Sequence, residues 1–322
     1  MRGRRLILGL VATIALGLIM LQGCRTESGK RRVALVMKSL ANEFFKTMED
    51  GAKAHQKSHA AQYELIANGI PDEQSVGQQN DLVQKMIAQK VTAIVLAPAD
   101  SKALVPVCKQ AVDAGIVVVN IDNKLDSGAL AEKNLKIPFV GPDNRAGARL
   151  AGEHLAKKVR TAQPAGTIEV AIIEGKKGAF NTEQRRLGFE DAMKAANITV
   201  ATSQSANWET DQANALVGPI LTANGNIKAF LCANDSMALG VAAAIRNNPQ
   251  WKQKGIFVVG FDNIAAAQEL IKNGSMLCSV DQHADQIAVN GIEYALQIIA
   301  KQAPPADRQT PVDLVTAESL KK

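Results

Sequence analysis

Asp122-Asn123 follows the apolar run Val118-Val119-Asn120-Ile121, and Asp262-Asn263 follows Val258-Val259-Gly260-Phe261. A second echo lies upstream of each pair. Leu96-Ala97-Pro98-Ala99-Asp100-Ser101-Lys102-Ala103-Leu104 matches Leu231-Cys232-Ala233-Asn234-Asp235-Ser236-Met237-Ala238-Leu239 at both Leu, the Asp, the Ser and the Ala. Two motifs repeated in one order predict two lobes on one plan. Other residues expected just beyond strands are Lys38, Asn42, Phe44 and Phe45 in the first half. In the second they are Glu174, Arg185, Trp208 and Asn234, with Gln282 where the chain crosses between lobes. Carboxylates accept hydrogen bonds from hydroxyls, whereas Lys, Arg and amide NH2 groups donate to them. A charged partner makes such a bond worth about 1.5–3 kcal/mol. Aromatic rings can cover an apolar C–H face. The set suits a polyhydroxyl ligand.

Each residue also has a plainer use. Asp100 and Asp235 can cap helices, Asp122 and Asp262 can cap turns, and Phe44 and Phe45 can be core. Arg185 and Arg186 can lie on a solvated helix face.

The elements that would position these residues alternate along the chain. Val33–Met37, Tyr63–Ala67, Ala93–Ala97 and Ile116–Ile121 read as strands, with Phe139–Val140 ending the first half. Ile168–Ile173, Ile198–Thr202, Ala229–Cys232, Phe257–Phe261 and Met276–Val280 read as strands of the second. Amphipathic stretches at 44–59, 74–89 and 102–114, then 182–196, 210–223, 236–247, 264–273 and 284–301, read as helices. Runs of Val, Ile and Leu fit parallel strands buried on both faces. The fold class is therefore α/β: two Rossmann-like lobes of parallel sheets flanked by helices. Ligands bind beyond the carboxyl ends of such strands, so two facing lobes share one cleft.

Residues 2–5 are basic apart from Gly3, and Leu6–Leu21 is apolar apart from Thr13 and two glycines. That run is short for a bilayer span, which needs about 20 residues, and suits a signal peptide. It ends in Leu21-Gln22-Gly23-Cys24, similar to a bacterial lipobox with Cys24 as the lipidated residue. An N-terminal anchor helix is the alternative; either places the remainder outside the cytoplasm. Residues 1–23 are then the signal peptide and 24–31 a tether.

The 322 residues suffice for about two domains. Lys and Arg number 37 against 31 Asp and Glu; loss of Arg2, Arg4 and Arg5 with the leader lowers the net charge from +6 to +3. That balance, without a basic run interleaved with aromatics, argues against nucleic-acid binding. Cys108, Cys232 and Cys278 read as buried thiols: in a flavodoxin-like strand order, one strand separates the last two, too far for a disulfide. His55 and His59 lie four apart but lack a third ligand, so no metal or other cofactor is expected. No G-x-S-x-G, P-loop or G-x-G-x-x-G motif is present, and no enzyme activity is expected. A dyad assembled only in space, such as Asp122 with Lys38, stays open.

Over about residues 32–318 the chain resembles the ribose- and allose-binding proteins of bacterial ABC importers, the type I periplasmic binding proteins. The resemblance rests on VALVMKSLANEFF, AIVLAPADSKALVPV, VVNIDNKLD, GPDNRAGARLAG, VAIIEGKKGAFNTEQRRLGF, FLCANDSMALGVAAAI, VVGFDN and SVDQHADQI together. It implies that Asn42, Phe44 and Phe45 lie on a sugar-contacting segment. Asp122, Arg185, Asn234, Asp262 and Gln282 fall at hydroxyl-binding positions, and Trp208 where an aromatic stacks on the sugar. A strict ribose pattern has Ser at Lys38, Arg at Asn123 and Phe at Trp208. Lys38, Trp208 and IIEGKKG look more like the allose branch, which has Trp at Phe45 and an acidic residue at Asn123.

The resemblance implies lobes of 32–141 plus 284–310 and 144–280 plus 313–320. They are joined by a three-segment hinge near Gly141–Asp143, Asp281–His283 and Thr310–Asp313. Lys38 and Asn123 complete the expected ligand contacts. A monomer would capture a monosaccharide or polyol by hinge closure and deliver it to an ABC permease, held at the membrane through Cys24. A sugar-sensing module for a signalling or chemotaxis partner is the alternative. A repressor with the same lobes would need a helix-turn-helix where the leader stands.

Overall fold

The computed structural model describes residues 30–302 and 306–321. The expected signal peptide and the lipidation site Cys24 lie outside the described residues. The first part runs β1 (Arg31–Ser39), α1 (Glu43–Ser58), β2 (Tyr63–Ile70), α2 (Val76–Ala88), β3 (Ala93–Leu96), α3 (Val105–Asp113), β4 (Val117–Ile121), α4 (Ser127–Glu132) and β5 (Phe139–Pro142). The second runs α5 (Asn144–Ala162), β6 (Glu169–Glu174), α6 (Phe180–Ala195), β7 (Thr199–Ser205), α7 (Thr210–Ala223) and β8 (Ile227–Cys232). It continues with α8 (Asp235–Asn247), α9 (Pro249–Lys252), β9 (Phe257–Val259), α10 (Ala265–Lys272) and β10 (Cys278–Asp281). The chain closes with α11 (Ala284–Ile299), β11 (Arg308–Thr310), β12 (Asp313–Thr316) and a 3-10 turn at Ser319–Lys321.

Two six-stranded sheets result, ordered β2-β1-β3-β4-β5-β11 and β7-β6-β8-β9-β10-β12. The first is parallel throughout. In the second only β12 runs antiparallel, against β10. The shared strand order is the structural form of the repeated motifs.

Alternation along buried strands divides each core into two layers. Val33, Leu35 and Met37 of β1 pack with Phe45 and Met48 of α1 and Ile292 of α11. Ala34 and Val36 pack instead with Val83, Met86 and Cys108 of α2 and α3. In the second sheet Val170 and Ile172 of β6 meet Leu155 of α5 and Phe189 of α6. Ala171 and Ile173 face Val217 and Val241 of α7 and α8. Burying each such side chain contributes about 1.5–3 kcal/mol. Cys108, Cys232 and Cys278 are free and buried, and β9 separates the strands carrying the last two.

Helix α5 is an addition to the expected elements. Its buried face is mostly small: Gly147, Ala148, Ala151, Gly152 and Ala156, with Leu155 and Val159. That face lies close against α6, where a Cβ on Gly188 would come 2.2 Å from the Arg145 carbonyl oxygen.

The chain passes between sheets three times, at Pro142–Asn144, Asp281–Ala284 and Thr310–Asp313. The latter two passages touch. His283, at φ 54°, donates its backbone N–H to Asp281 Oδ1 at 2.7 Å and places Nε2 2.8 Å from Asp313 Oδ2.

Candidate functional site

The carboxyl ends of both sheets meet around one cavity. Lys38 lies within β1, near its carboxyl end. Asn42 caps α1 by accepting from the Phe44 N–H at 3.0 Å, which orients the first helical turn. Phe44 and Phe45 are both buried, and their rings meet edge to face at 5.1 Å. Asp122 follows β4 and Asp262 follows β9, and both take positive φ, 60° and 119°. Left-handed backbone is uncommon outside glycine, and here it recurs at corresponding turns of the two lobes.

From the other sheet, Arg185 reaches in from α6, buried to 2% exposure. Its Nε donates to Asn144 Oδ1 and one Nη1 arm to the Ala233 carbonyl, both at 2.8 Å. The same arm lies 3.4 Å from Asp262 Oδ1, and the guanidinium carbon sits 3.7 Å from the Phe261 ring centre. Gln282 donates Nε2 to Asp262 Oδ1 at 2.6 Å, which turns its amide oxygen the other way. Asn234 caps α8 through the Met237 N–H and lends Nδ2 to the Trp208 carbonyl. The Trp208 ring lies between the two cations, 5.6 Å from Lys38 Nζ and 5.6 Å from the Arg185 guanidinium.

Buried charge dominates the site. Lys38 Nζ stands 3.1 Å from Asp122 Oδ2 and 3.7 Å from Glu73 Oε2. Burial works against the ammonium, but Asp122 and Glu73 outweigh it and hold the Lys38 pKa above its ordinary value. Burial raises the Glu73 pKa despite Lys38, and raises that of Asp262 well above the usual range despite Arg185. Burial also lowers the Arg185 pKa, against the pull of Asp262 and Asp122.

Six buried side-chain oxygens among the described residues lack a hydrogen-bond partner of good geometry. Four of them belong to residues lining this cavity: Asn181 Oδ1 and Gln282 Oε1 have no partner, whereas Glu73 Oε2 and Asp122 Oδ2 are ion-paired with Lys38. An unsatisfied buried acceptor costs about 1–3 kcal/mol, so Asn181 Oδ1 and Gln282 Oε1, beside two carboxylates with room for further donors, mark a place for hydroxyl groups.

Ten of the eleven expected contact residues line the cavity: Lys38, Asn42, Phe44, Phe45, Asp122, Arg185, Trp208, Asn234, Asp262 and Gln282. Asn123 does not. Its amide donates to the Pro98 carbonyl and Ser101 Oγ, and its oxygen accepts from the Asn181 N–H. Glu174 is also elsewhere, accepting from Ser203. Glu73 and Asn181 are additions. Glu73 follows β2, and Asn181 opens α6 just after the GKKGAF segment.

Asp235 is no cap of its own helix. Its carboxylate accepts from Ser279 Oγ at 2.7 Å and the Ile264 N–H at 3.0 Å, tying α8 to β10 and α10. His55 lies remote from the cavity, its Nδ1 2.9 Å from the Tyr63 hydroxyl and Nε2 3.3 Å from Glu293. No group of three or more potential metal ligands is found among the described residues. Among them, no helix is long and apolar enough to cross a membrane.

Comparison with known proteins extends this picture. Residues 33–303 match the family model of the periplasmic binding protein domain. The chain is 49% identical over 319 residues, 98% of each sequence, to the D-ribose/D-allose-binding protein of Pseudomonas aeruginosa. It superposes on an ABC transporter solute binding protein from Burkholderia multivorans with a TM-score of 0.85. That match has 53% identity and covers 90% of this chain and 100% of the other. It also superposes on a periplasmic solute binding protein from Actinobacillus succinogenes with bound D-allose. There the TM-score is 0.83 at 37% identity, with 91% and 99% covered.

Proposed function

The chain belongs to the periplasmic binding protein family, and on that premise we propose that it is a receptor for one monosaccharide of the allose or ribose kind. The observation that carries this reading is one aromatic-walled cavity in which Asn181 Oδ1 and Gln282 Oε1 lack any partner, while Glu73 Oε2 and Asp122 Oδ2 face only the Lys38 ammonium. Sugar hydroxyls would satisfy Asn181 and Gln282 and would share the Glu73 and Asp122 carboxylates with Lys38. Lys38 and the second Nη arm of Arg185 would donate in return. Phe44, Phe45 and Trp208 would cover the apolar faces of the ring.

The lobes are residues 32–141 with 284–310 and residues 144–280 with 313–320, and capture proceeds by hinge closure. Both lobes supply contacts, so only the closed form satisfies them all. The loaded receptor delivers its sugar to an ABC permease, a role supported by the names of the relatives. Cys24 carries the lipid that keeps the monomeric receptor at the membrane. Its chemistry is binding without turnover: a nucleophilic lysine needs a lowered pKa, whereas Lys38 is held charged between two carboxylates.

A thermal-shift screen against pentoses, hexoses, deoxy sugars and polyols tests the reading, with hits titrated by calorimetry. A ligand at about 100 times its Kd stabilises by about 2.7 kcal/mol. A tight allose or ribose response is expected; a folded protein silent across the panel would remove the sugar assignment.

A further inference from the structure

Helix N-termini expose N–H groups that need acceptors, and α6 and α10 of the second lobe both begin without a side-chain cap of their own. The N-cap of α6 is Ala179 and that of α10 is Ile264, and neither has a side-chain capping bond. The acceptors come from the opposite lobe. Ser101 Oγ accepts from the Phe180 N–H at 2.9 Å, and Asn123 Oδ1 accepts from the Asn181 N–H at 3.1 Å. The Ser101 N–H in turn donates to the Gly178 carbonyl at 3.1 Å. Across the cleft, Glu43 Oε1 accepts from the Ala265 N–H at 2.8 Å.

The first-lobe side of this contact is preorganised. Asn123 Nδ2 bonds Ser101 Oγ at 3.3 Å and the Pro98 carbonyl at 2.9 Å, aiming both acceptors at α6. Ser101 is buried, so opening the cleft would exchange a dry hydrogen bond for a hydrated one. Neither Ser101 nor Glu43 lines the ligand cavity. A Cβ on Gly178 would stand 2.7 Å from Asp100 Oδ2, so the two lobes approach closely here.

We propose that Ser101 and Glu43 are positioning residues of an inter-lobe latch that closes the cleft by capping α6 and α10 from the opposite lobe. The latch scales affinity for every ligand without reading its stereochemistry; this second statement rests on the sugar-receptor reading above. Apparent affinity falls with the fraction of molecules competent to close. Losing one cap alters a helix-end equilibrium by about fivefold.

The test uses the full chain with S101A, E43A, the double variant and E43Q, which keeps an oxygen acceptor. The first measurement is the distance distribution between spin labels on the two lobes with no sugar added. The unsubstituted protein is expected to populate the short distance, S101A and E43A less so, the double variant least, and E43Q near the starting level. The second is titration with D-allose and D-ribose. Each single alanine is expected to weaken both by the same factor of about fivefold, leaving their ratio unchanged. Identical sugar-free distributions in all variants would overturn the latch, as would a sugar-dependent loss of affinity. A protein that binds neither sugar but shows latch-dependent distances would overturn the ligand assignment and leave the latch standing. Because a purely structural role would lower Tm without shifting the distances, melting of each variant is recorded beside them.

Discussion

Gly175 and Trp208 occupy one another's space: a Cβ on Gly175 would fall 2.1 Å from the Trp208 ring. The ring that walls the cavity can take its place only because residue 175 has no side chain. Gly175→Ala is therefore expected to displace Trp208 and weaken sugar binding by at least tenfold. Calorimetric titration and the tryptophan emission of a Trp251→Phe background would check it, since Trp208 and Trp251 are the two tryptophans.

Removing Arg185 should be costly in a different way. Its guanidinium serves Asn144, Ala233 and Asp262 at once. Arg185→Ala leaves Asp262 buried without its cation, and breaking such a pair costs about 3–5 kcal/mol. Both a lower Tm and weaker sugar binding are expected. Asp262→Ala should weaken binding by about 2 kcal/mol or more. Normal affinity in a folded Asp262→Ala variant would move the ligand away from this lobe.

Lys38→Met would leave Glu73 and Asp122 facing each other without the ammonium between them. Two neighbouring buried carboxylates favour proton uptake, so the variant should be more stable at pH 5 than at pH 8. Chemical denaturation at the two pH values measures this. A variant whose stability is unchanged between them would show that Lys38 does not neutralise the pair.

Asp235 gives a pH dependence of its own. Burial raises its pKa to about 6, although hydrogen bonds from Ser279 and nearby backbone N–H groups oppose the rise. The folded state then holds the proton more tightly than the unfolded chain does. This contribution to stability is fully present below about pH 3.9 and is lost as pH rises through about 6. Asp235→Asn should flatten this part of the profile between pH 4 and 7, as unfolding in urea at each pH would reveal.

Much of this architecture was legible because the two lobes repeat. Two echoed motifs placed Asp122 and Asp262 at equivalent turns, and near-continuous Val and Ile runs marked strands covered on both faces. The same echo misled at Asn123. Its neighbour lines the cavity, but its own amide is consumed by Pro98, Ser101 and Asn181, a three-way contact invisible in one dimension. Helix α5 escaped because Gly and Ala form its buried face, so little apolar periodicity remains. Strands β11 and β12 escaped because they are short, polar and at the sheet edges. Glu73 had no repeated partner to call attention to it.

The three passages between the sheets also bear on how the molecule is made. Helix α11 packs onto β3 and β4, where Gly291 lets Val95 and Ile121 approach its backbone. Strand β11 completes the edge of the same sheet beside β5. Both arrive only after the second lobe, β12 apart, has been synthesised. The first lobe must therefore wait, with one apolar face uncovered, until more than a hundred further residues have emerged. The second lobe lacks only β12 when α11 appears. The later-encoded lobe can thus assemble all but its edge strand before the first lobe can cover its sheet, and an export or folding helper that shields apolar surface would act chiefly on the amino-terminal half.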